Sequence, residues 1–284
     1  MKKVMFAGIA ALCGAVMADG GIESQNIVGY TTQNFMQKST FYMMGTQFET
    51  ANGGSLKLSD LNFGDLSNAP YYNEFIDENG FIVSAAPEVR VANANSEGFT
   101  TYYYILDGKP TETEGVYEPG WIDVNFEYQD PTLITGIGFW FNNPCANTPV
   151  LTTSGGVPDD PFIQKEFDNT FRVLVNPYPK ATVLSDIVFT GINDIAPMYN
   201  EFIDENGFIV TPAPEIRVPN ANTEGFQTYY YLKDGKPTAT EGVYEPGWVD
   251  VNFEYQNPTI PIGRGCWFKS TKTTAGNMTV TFYP

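Results

Sequence analysis

The stretch YNEFIDENGFIV occupies residues 72–83 and returns letter for letter at residues 199–210. The identity extends well beyond this stretch. From Ala69 to Phe141 the chain aligns without gaps with Ala196 to Phe268 at a constant offset of 127, and 56 of the 73 aligned pairs are identical. Because this period is far longer than that of a solenoid repeat, it predicts two tandem homologous modules, each with its own core.

The similarity continues weakly upstream, where LSDLNF at residues 58–63 corresponds to LSDIVF at 184–189. Residues 147–161, NTPVLTTSGGVPDDP, are rich in Thr, Ser, Gly, Pro and Asp and have no apolar period, which predicts a linker. The predicted domains are therefore a signal peptide at 1–18, a first β-module at 19–155 and a second at 156–284.

The N-terminus has the pattern of a secretory leader. Lys2 and Lys3 precede an apolar run from Val4 to Val16 that is too short to span a bilayer, and small residues follow up to Ala18. We expect cleavage near Ala18 and a secreted or cell-surface protein. A lipoprotein attached through Cys13 is the alternative, disfavoured by Leu12. No later segment has the apolar length of a transmembrane helix.

The composition narrows the range of partners. With 15 basic and 33 acidic residues the formal charge is −18, which disfavours nucleic acid and anionic lipid as partners. Beyond the leader there are two cysteines, Cys145 and Cys266, and they are not repeat equivalents. A disulfide framework would have been duplicated with the module, so we interpret them as incidental thiols, with one bond between modules as the alternative.

Strand patterns dominate the chain. WIDVNFEY alternates, predicting that Ile122, Val124, Phe126 and Tyr128 face inward, and the wholly apolar GIGFWF predicts a central strand. Only SLKLSDLNF, at 55–63, indicates a turn or two of helix. We predict an all-β fold in which each module is an antiparallel β-sandwich or partly open barrel. The predicted strands of the first copy are residues 27–35, 88–93, 99–106, 121–128 and 136–141.

Turn residues separate these strands. In FIDENGFIV two short apolar runs flank Asp77 to Gly80, which predicts a β-hairpin with Asp at the start of the turn and Gly at positive φ. DGKP at 107–110 is predicted to end the preceding strand. YEPGW at 117–121 is predicted to be a further turn, directly before the next strand.

Catalytic patterns are scarce. The chain has no histidine, which excludes Ser-His and Cys-His catalysis and His-ligated metals. Paired carboxylates of a glycoside hydrolase could come from the acidic residues at 74–78 and 112–118. Most of these acids fall in predicted turns, however, and Glu112 is replaced by Ala239 in the second copy. We therefore predict that the protein is not an enzyme.

No cofactor is predicted, and calcium is the one that the sequence leaves open. The DENG turns supply oxygen donors, although the further ligands of an EF-hand loop are missing and a hairpin turn is the better explanation of these residues. The calcium candidates are Asp77, Asn79, Asp204 and Asn206.

The aromatic residues suggest a binding function. In TYYYIL, Tyr102 and Tyr104 share one face of the strand, and Trp121 has the same parity as Asp123, which predicts an exposed ring. Sugars dock on exposed aromatic faces flanked by hydrogen-bonding groups. The more common role of such rings is to fill the core or cover a sheet face, as we predict for Trp140 and Trp267. The second-copy counterparts of the candidate ligand-binding residues are Tyr229, Tyr231 and Trp248.

The chain resembles a group of secreted β-modules of unknown function from Planctomycetes–Verrucomicrobia–Lentisphaerae bacteria. These modules open with an NIVGY-like strand, here Asn26 to Tyr30, and close with a GxGFW-like strand, here Gly136 to Trp140. Gly120-Trp121 also matches. The resemblance implies a secreted bacterial β-module and transfers no catalytic residue. The corresponding residues of the second copy are Gly247-Trp248 and Gly263 to Trp267.

Three functions follow as expectations. The first is a secreted or cell-surface, non-enzymatic protein with a structural or adhesive role, which predicts self-association. The second is a carbohydrate-binding protein that recognises extracellular glycan through its aromatic residues, with two copies adding avidity. The third is a carboxylate-based glycoside hydrolase.

Overall fold

The computed structural model describes residues 28–34, 40–50, 53–93, 98–145, 150–165, 169–220, 225–271 and 278–284. The predicted leader at 1–18, with Cys13, and the first two residues of the NIVGY motif lie outside these ranges. Within them, no helix is both long enough and apolar enough to cross a membrane.

Almost all regular structure in the described residues is β-strand in antiparallel pairs, and none of the sheets closes into a barrel, which confirms the all-β prediction. The first half contains β1 (Val28–Asn34), β2 (Tyr42–Gly45), β3 (Leu56–Lys57), α1 (Tyr72–Phe75), β4 (Glu88–Ala92), β5 (Phe99–Pro110), β6 (Tyr117–Ile122), β7 (Thr132–Leu133), β8 (Gly138–Asn142) and β9 (Val150–Gly156). The second half contains β10 (Phe162–Lys165), β11 (Arg172–Val175), β12 (Thr182–Val183), β13 (Val188–Thr190), α2 (Tyr199–Phe202), β14 (Glu215–Pro219), β15 (Phe226–Pro237), β16 (Tyr244–Val249), β17 (Thr259–Ile260), β18 (Gly265–Lys269) and β19 (Thr279–Phe282). Short 3-10 helices lie at Leu58–Asp60, Leu184–Asp186 and Ile192–Asp194.

Each half contributes one five-stranded sheet. The strand orders are β2-β8-β4-β5-β6 and β11-β18-β14-β15-β16, so aligned residues of the repeat occupy matching places. GIGFWF supplies β8, which lies between β2 and β4, as predicted for a central strand. Smaller sheets pair β3 with β7 and β12 with β17.

The predicted linker at 147–161 is only partly a linker. Within it, β9 pairs along its whole length with β1, and Leu151 and Thr153 are buried. Its Thr and Val residues favour strand, a preference that the neighbouring Gly and Pro concealed. The chain then enters the second half at Phe162, where β10 pairs with β19 in the way that β1 pairs with β9.

The DENG turn forms as predicted, but one arm of its hairpin is different. Asp77 Oδ1 accepts backbone hydrogen bonds from Asn79 (2.9 Å) and Phe81 (2.8 Å), and Gly80 has φ of 82°. The preceding residues form helix α1 instead of a strand, and a single bridge between Ile76 and Ile82 closes the turn.

The alternation in WIDVNFEY was wrongly interpreted as a strand. Strand β6 ends at Ile122, and Asp123 begins a turn in which its Oδ1 accepts the amides of Asn125 (2.8 Å) and Glu127 (3.1 Å). Val124, predicted to face inward, is 56% exposed, and Phe126 adopts a left-handed φ of 65°. The Asx turn supplies local hydrogen bonds that compete with the strand conformation.

The turns predicted at DGKP and YEPGW are wrong, because both segments lie within a bulged pair of strands. Strand β5 runs through DGKP, and YEPGW lies inside β6. Between Ile105 and Lys109 the pairing of these strands shifts at a bulge. A Cβ at Gly108 would lie 2.7 Å from the oxygen of Gly120, so this close backbone approach requires glycine.

The sheet of the first half is covered on both faces near β5 and β6. On one face Trp121 packs with Phe63 and Phe141, and on the other Ile122 packs with Phe75 of α1. The second half repeats this arrangement with Trp248 and Phe202. Burial on both faces explains why side-chain parity did not separate inside from outside.

The two halves meet through matched aromatic contacts. The ring of Trp140 lies 5.9 Å from that of its repeat equivalent Trp267. Trp140 also contacts Phe226 (6.1 Å), and Trp267 contacts Phe99 (6.3 Å), its repeat counterpart. The contacts are therefore reciprocal, as at a two-fold interface between identical subunits. The two tryptophans are half-buried between the halves, not fully buried within either core.

Candidate functional site

The five-stranded sheets each border an open cleft, and the two clefts are built from corresponding residues. The first cleft lies between residues 59–66, which include the end of the 3-10 helix and the segment after it, and the β5–β6 hairpin, and its volume is about 450 Å³. The second lies between residues 184–192 and the β15–β16 hairpin, with a volume of about 230 Å³. The lining residues that match in position and identity are Ser59, Phe63, Tyr104, Lys109, Pro119, Gly120, Trp121 and Tyr128 in the first cleft, and Ser185, Phe189, Tyr231, Lys236, Pro246, Gly247, Trp248 and Tyr255 in the second.

An aromatic cluster forms the inner wall of each cleft. In the first, Trp121 contacts Tyr104 edge to face at 5.3 Å and Phe63 at 5.0 Å. In the second, Trp248 makes the equivalent contacts with Tyr231 at 5.2 Å and Phe189 at 5.4 Å. Edge-to-face packing is a favoured arrangement of aromatic rings and stabilises each cluster.

The Asx turn after β6 positions a further ring at the cleft. It brings Tyr128 back to bridge with Ile122, while the amide of Gln129 donates to the oxygen of Trp121 at 2.9 Å. Tyr128 is only half-buried, so its ring is the more accessible one. The turn contains Phe126 in its left-handed conformation, and Phe253 repeats it with φ of 64°. A strained backbone repeated in both halves indicates that the position of this turn matters.

A lysine–glutamate pair lies at the mouth of each cleft. The bulge in β5 directs Lys109 toward Glu118, with 2.6 Å between Nζ and Oε1, and Nζ lies 5.9 Å from the ring centre of Tyr128. The hydrogen bond to Glu118 raises the pKa of Lys109. Lys236 and Glu245 form the same pair at 2.5 Å, with the same effect on the pKa of Lys236.

The polar floor of the first cleft is a serine held by a carboxylate. Asp130 Oδ1 accepts the amide of Ser59, and its Oδ2 accepts the Ser59 hydroxyl, both at 2.9 Å. Lys57 Nζ lies 3.7 Å from Oδ2. The arrangement combines apolar ring surface with charged and neutral hydrogen-bonding groups in a concave site, which suits a small polar ligand with apolar faces.

The structure brings together four of the six predicted aromatic residues. Tyr104 and Trp121 line the first cleft, and Tyr231 and Trp248 line the second. Tyr102 borders a separate cavity of about 210 Å³. The remaining residue, Tyr229, is buried and donates a hydrogen bond to Gln227 at 2.6 Å.

The predicted exposure of the tryptophans is wrong. Trp121 is 4% and Trp248 5% exposed, so neither offers a free ring face. Side-chain parity predicts that β6 continues through Asp123, whereas that residue already belongs to the turn. Burial also raises the pKa of the Tyr104 and Tyr231 phenols.

The site candidates predicted from the sequence did not include Lys109, Tyr128 or Asp130, which complete the first cleft. Lys109 and Tyr128 recur at the repeat offset, but so do many structural residues, so identity alone did not distinguish them. Only the bulge and the Asx turn, both three-dimensional features, bring them to the aromatic wall.

The calcium candidates act as turn residues in the structure. Asp77 Oδ1 is engaged by two backbone amides, and Asp204 Oδ1 by those of Asn206 (2.9 Å) and Phe208 (2.8 Å). The described part of the chain contains no group of three or more His, Cys, Asp or Glu side chains placed to hold a metal ion.

The acidic residues that could serve a hydrolase are spread over different local structures. Glu74 accepts the amide of Tyr71 at 3.1 Å, and Glu118 pairs with Lys109. Glu112 and Glu114 are exposed in the β5–β6 hairpin. Both cysteines are free thiols with separate acceptors: the thiol of Cys145 lies 3.6 Å from the oxygen of Ala85, and that of Cys266 lies 3.6 Å from the oxygen of Leu174.

Comparison of the chain with models of protein families, with curated proteins and with solved structures finds no match.

Proposed function

We propose that this chain is a secreted or cell-surface, non-enzymatic binding protein with an adhesive role, whose two clefts take carbohydrate. The observation that carries the proposal is the duplicated cleft: the same aromatic wall, lysine–glutamate pair and serine recur in both halves. Sugar rings present apolar C–H faces and hydroxyl groups, and both find complementary groups in these clefts.

The role of the aromatic residues differs from that of an exposed platform. Trp121 and Trp248 form the back of each cleft and hold its shape. The half-buried rings of Tyr128 and Tyr255, each near a lysine ammonium, are the surfaces that a sugar would contact. Two clefts on one chain would let a branched or repeating glycan bind with avidity.

The test is a glycan-array screen of the secreted protein and of the Tyr128→Ala/Tyr255→Ala double variant. We expect binding to a restricted class of glycans, with a loss of at least tenfold in the double variant. Removing one stacking ring from each cleft would cost about 1 kcal/mol or more per site. The matched control is Tyr117→Ala/Tyr244→Ala, because these tyrosines lie on the same two hairpins outside the clefts and are 58% exposed.

The control variant should bind as the unmodified protein does. A blank array with the folded unmodified protein, or equal loss in both double variants, would contradict carbohydrate binding at the clefts. A parallel array with added calcium tests the one cofactor that the sequence leaves open. Glycan binding that depends on calcium would show that calcium takes part in recognition.

Self-association is a second candidate function, favoured by a different observation. The Phe-Ile-Val segments that follow the two DENG turns are exposed, with Phe81 at 68% and Phe208 at 69%. Apolar side chains exposed together mark interaction sites. Light scattering over a range of concentrations should show oligomers that Phe81→Ser/Phe208→Ser abolishes; a monomer at all concentrations would rule this candidate out.

A further inference from the structure

The two clefts differ in charge at one lining position, although Asn62 of the first cleft is also replaced, by Val188 in the second. Asp130 of the first cleft corresponds to Asn257 of the second at the repeat offset of 127. Both side chains line their clefts, and both hold the serine of the 3-10 helix, Ser59 or Ser185. The exchange of a carboxylate for an amide changes both the charge and the direction of one hydrogen bond.

In the first cleft the serine hydroxyl is a donor to the protein. An ionised carboxylate can only accept, so Ser59 Oγ donates its proton to Asp130 Oδ2 at 2.9 Å. What Ser59 then offers a ligand is its oxygen lone pairs. This corner of the first cleft therefore consists of acceptors, a hydroxyl oxygen and a negatively charged carboxylate.

In the second cleft the same bond runs in the opposite direction. The amide of Ser185 donates to Asn257 Oδ1 at 2.9 Å, and this contact fixes the orientation of the side-chain amide. Asn257 Nδ2 consequently faces the hydroxyl and donates to Ser185 Oγ at 2.9 Å. The hydroxyl proton of Ser185 is then available to an acceptor in the cleft, and the corner carries no negative charge.

The other charges near the two corners are a lysine beside the first corner and a lysine–glutamate pair at the mouth of both clefts. Lys57 Nζ, 3.7 Å from Asp130, partly balances the carboxylate, but its side chain is 59% exposed and therefore well screened. The lysine–glutamate pair does not distinguish the clefts, because Lys109 with Glu118 and Lys236 with Glu245 occupy equivalent places.

We propose that the exchange of Asp130 for Asn257 gives the clefts different sugar preferences: the first selects neutral sugars, whose hydroxyl groups donate to Asp130 and Ser59, and the second accepts acidic sugars, whose uronate carboxylate receives a hydrogen bond from Ser185. This inference rests on the proposed carbohydrate function and names the sugar class at each site. An anionic sugar in the first cleft would face a carboxylate of the same charge, which is disfavoured.

The experiment observes one cleft at a time in the full-length secreted chain. Tyr255→Ala disables the second cleft and reports on the first, while Tyr128→Ala reports on the second. Each variant is applied to an array that carries gluco-, galacto- and manno-oligosaccharides beside their C6-carboxylate counterparts. The readout is the ratio of acidic to neutral binding within each pair, which cancels differences in folded fraction.

We expect a ratio below one for Tyr255→Ala and above one for Tyr128→Ala. The isosteric exchange should then invert the preference: Asp130→Asn in the Tyr255→Ala chain raises the ratio about tenfold, and Asn257→Asp in the Tyr128→Ala chain lowers it about tenfold, as one charge-assisted hydrogen bond predicts. Glycan binding with ratios that the exchanges leave unchanged would overturn this inference alone. Absence of binding to any glycan by the unmodified chain would overturn the proposed function and this inference with it.

Discussion

At the scale of single residues, the tryptophans show how burial changes a functional interpretation. Trp121 was expected to be a surface platform, yet it packs against Phe63 and Tyr104 behind the cleft. A ring in this position shapes the site without offering its face. The aromatic ring that a ligand can reach is instead that of Tyr128, on the turn that follows β6.

The buried position of Trp121 leads to a stability prediction. Trp121→Ala should lower the free energy of unfolding by about 3–5 kcal/mol, because a large buried ring is removed and a cavity remains. Guanidinium denaturation followed by circular dichroism measures this loss. Tyr117→Ala, on the same strand but exposed, should change stability by less than about 0.5 kcal/mol. Equal effects of the two substitutions would contradict the burial of Trp121.

At the scale of elements, the turns define the local structure more than strand alternation does. The DENG and DVNF segments both depend on one aspartate oxygen that accepts two backbone amides. Alternation in WIDVNFEY therefore did not predict a strand, since Asp123 stabilises a competing turn.

The turn aspartates provide a second prediction. Asp77→Ala should destabilise the protein by about 1–2 kcal/mol, because two backbone donors lose their acceptor. Asp77→Asn keeps an acceptor oxygen in the same place and should cost clearly less. Thermal denaturation compares the two variants, and hydrogen exchange of the Asn79 and Phe81 amides reports the local effect. Equal losses for Ala and Asn would show that the side-chain acceptor is not what holds the turn.

The tyrosine-rich strands β5 and β15 predict a dependence on alkaline pH. Burial raises the folded-state pKa of all three tyrosines of each strand above 10.0. Above about pH 9 the unfolded chain loses phenolic protons that the folded chain retains, so unfolding becomes progressively more favourable as pH rises. Below that pH these tyrosines should make no pH-dependent contribution to the free energy of unfolding.

Denaturation midpoints measured at pH 8 and pH 10.5 should therefore differ, with the lower midpoint at the higher pH. Tyr103→Phe/Tyr230→Phe removes two of the shifted phenols and should reduce the difference. An unchanged midpoint up to pH 10.5 would mean that the phenols titrate equally in the folded and unfolded chains.

At the scale of the whole molecule, the two halves are joined by a reciprocal aromatic contact. Trp140 and Trp267 meet, and each also contacts the phenylalanine of the opposite half, Phe226 or Phe99. Close approach of the backbones at Gly138 and Gly265 accompanies these rings, since a Cβ at either would collide with Val173 or Met43. The interface therefore depends on small residues beside large ones.

This contact predicts energetic coupling between the halves. In a double-mutant cycle, Trp140→Ala and Trp267→Ala should show an interaction energy of about 0.5–3 kcal/mol, because each substitution removes a partner of the other. Trp140→Ala combined with Tyr255→Ala, which lies in the second cleft outside this interface, should be additive within about 0.5 kcal/mol. Additivity in the first cycle would mean that the halves are energetically independent.

The sequence by itself determined the β class, the repeat and the central position of GIGFWF, since these follow from composition, identity and apolar patterning. It also identified the aromatic residues Tyr104 and Trp121 as candidates. Tertiary structure alone decided which rings share a cleft and which are buried, because both faces of the sheet near β6 are covered and parity carries no information there. Tertiary structure also decided the placement of Lys109 and Asp130. A bulge in β5 and a 3-10 helix distant in sequence bring these residues to one cleft, and neither feature has a periodic pattern in the sequence.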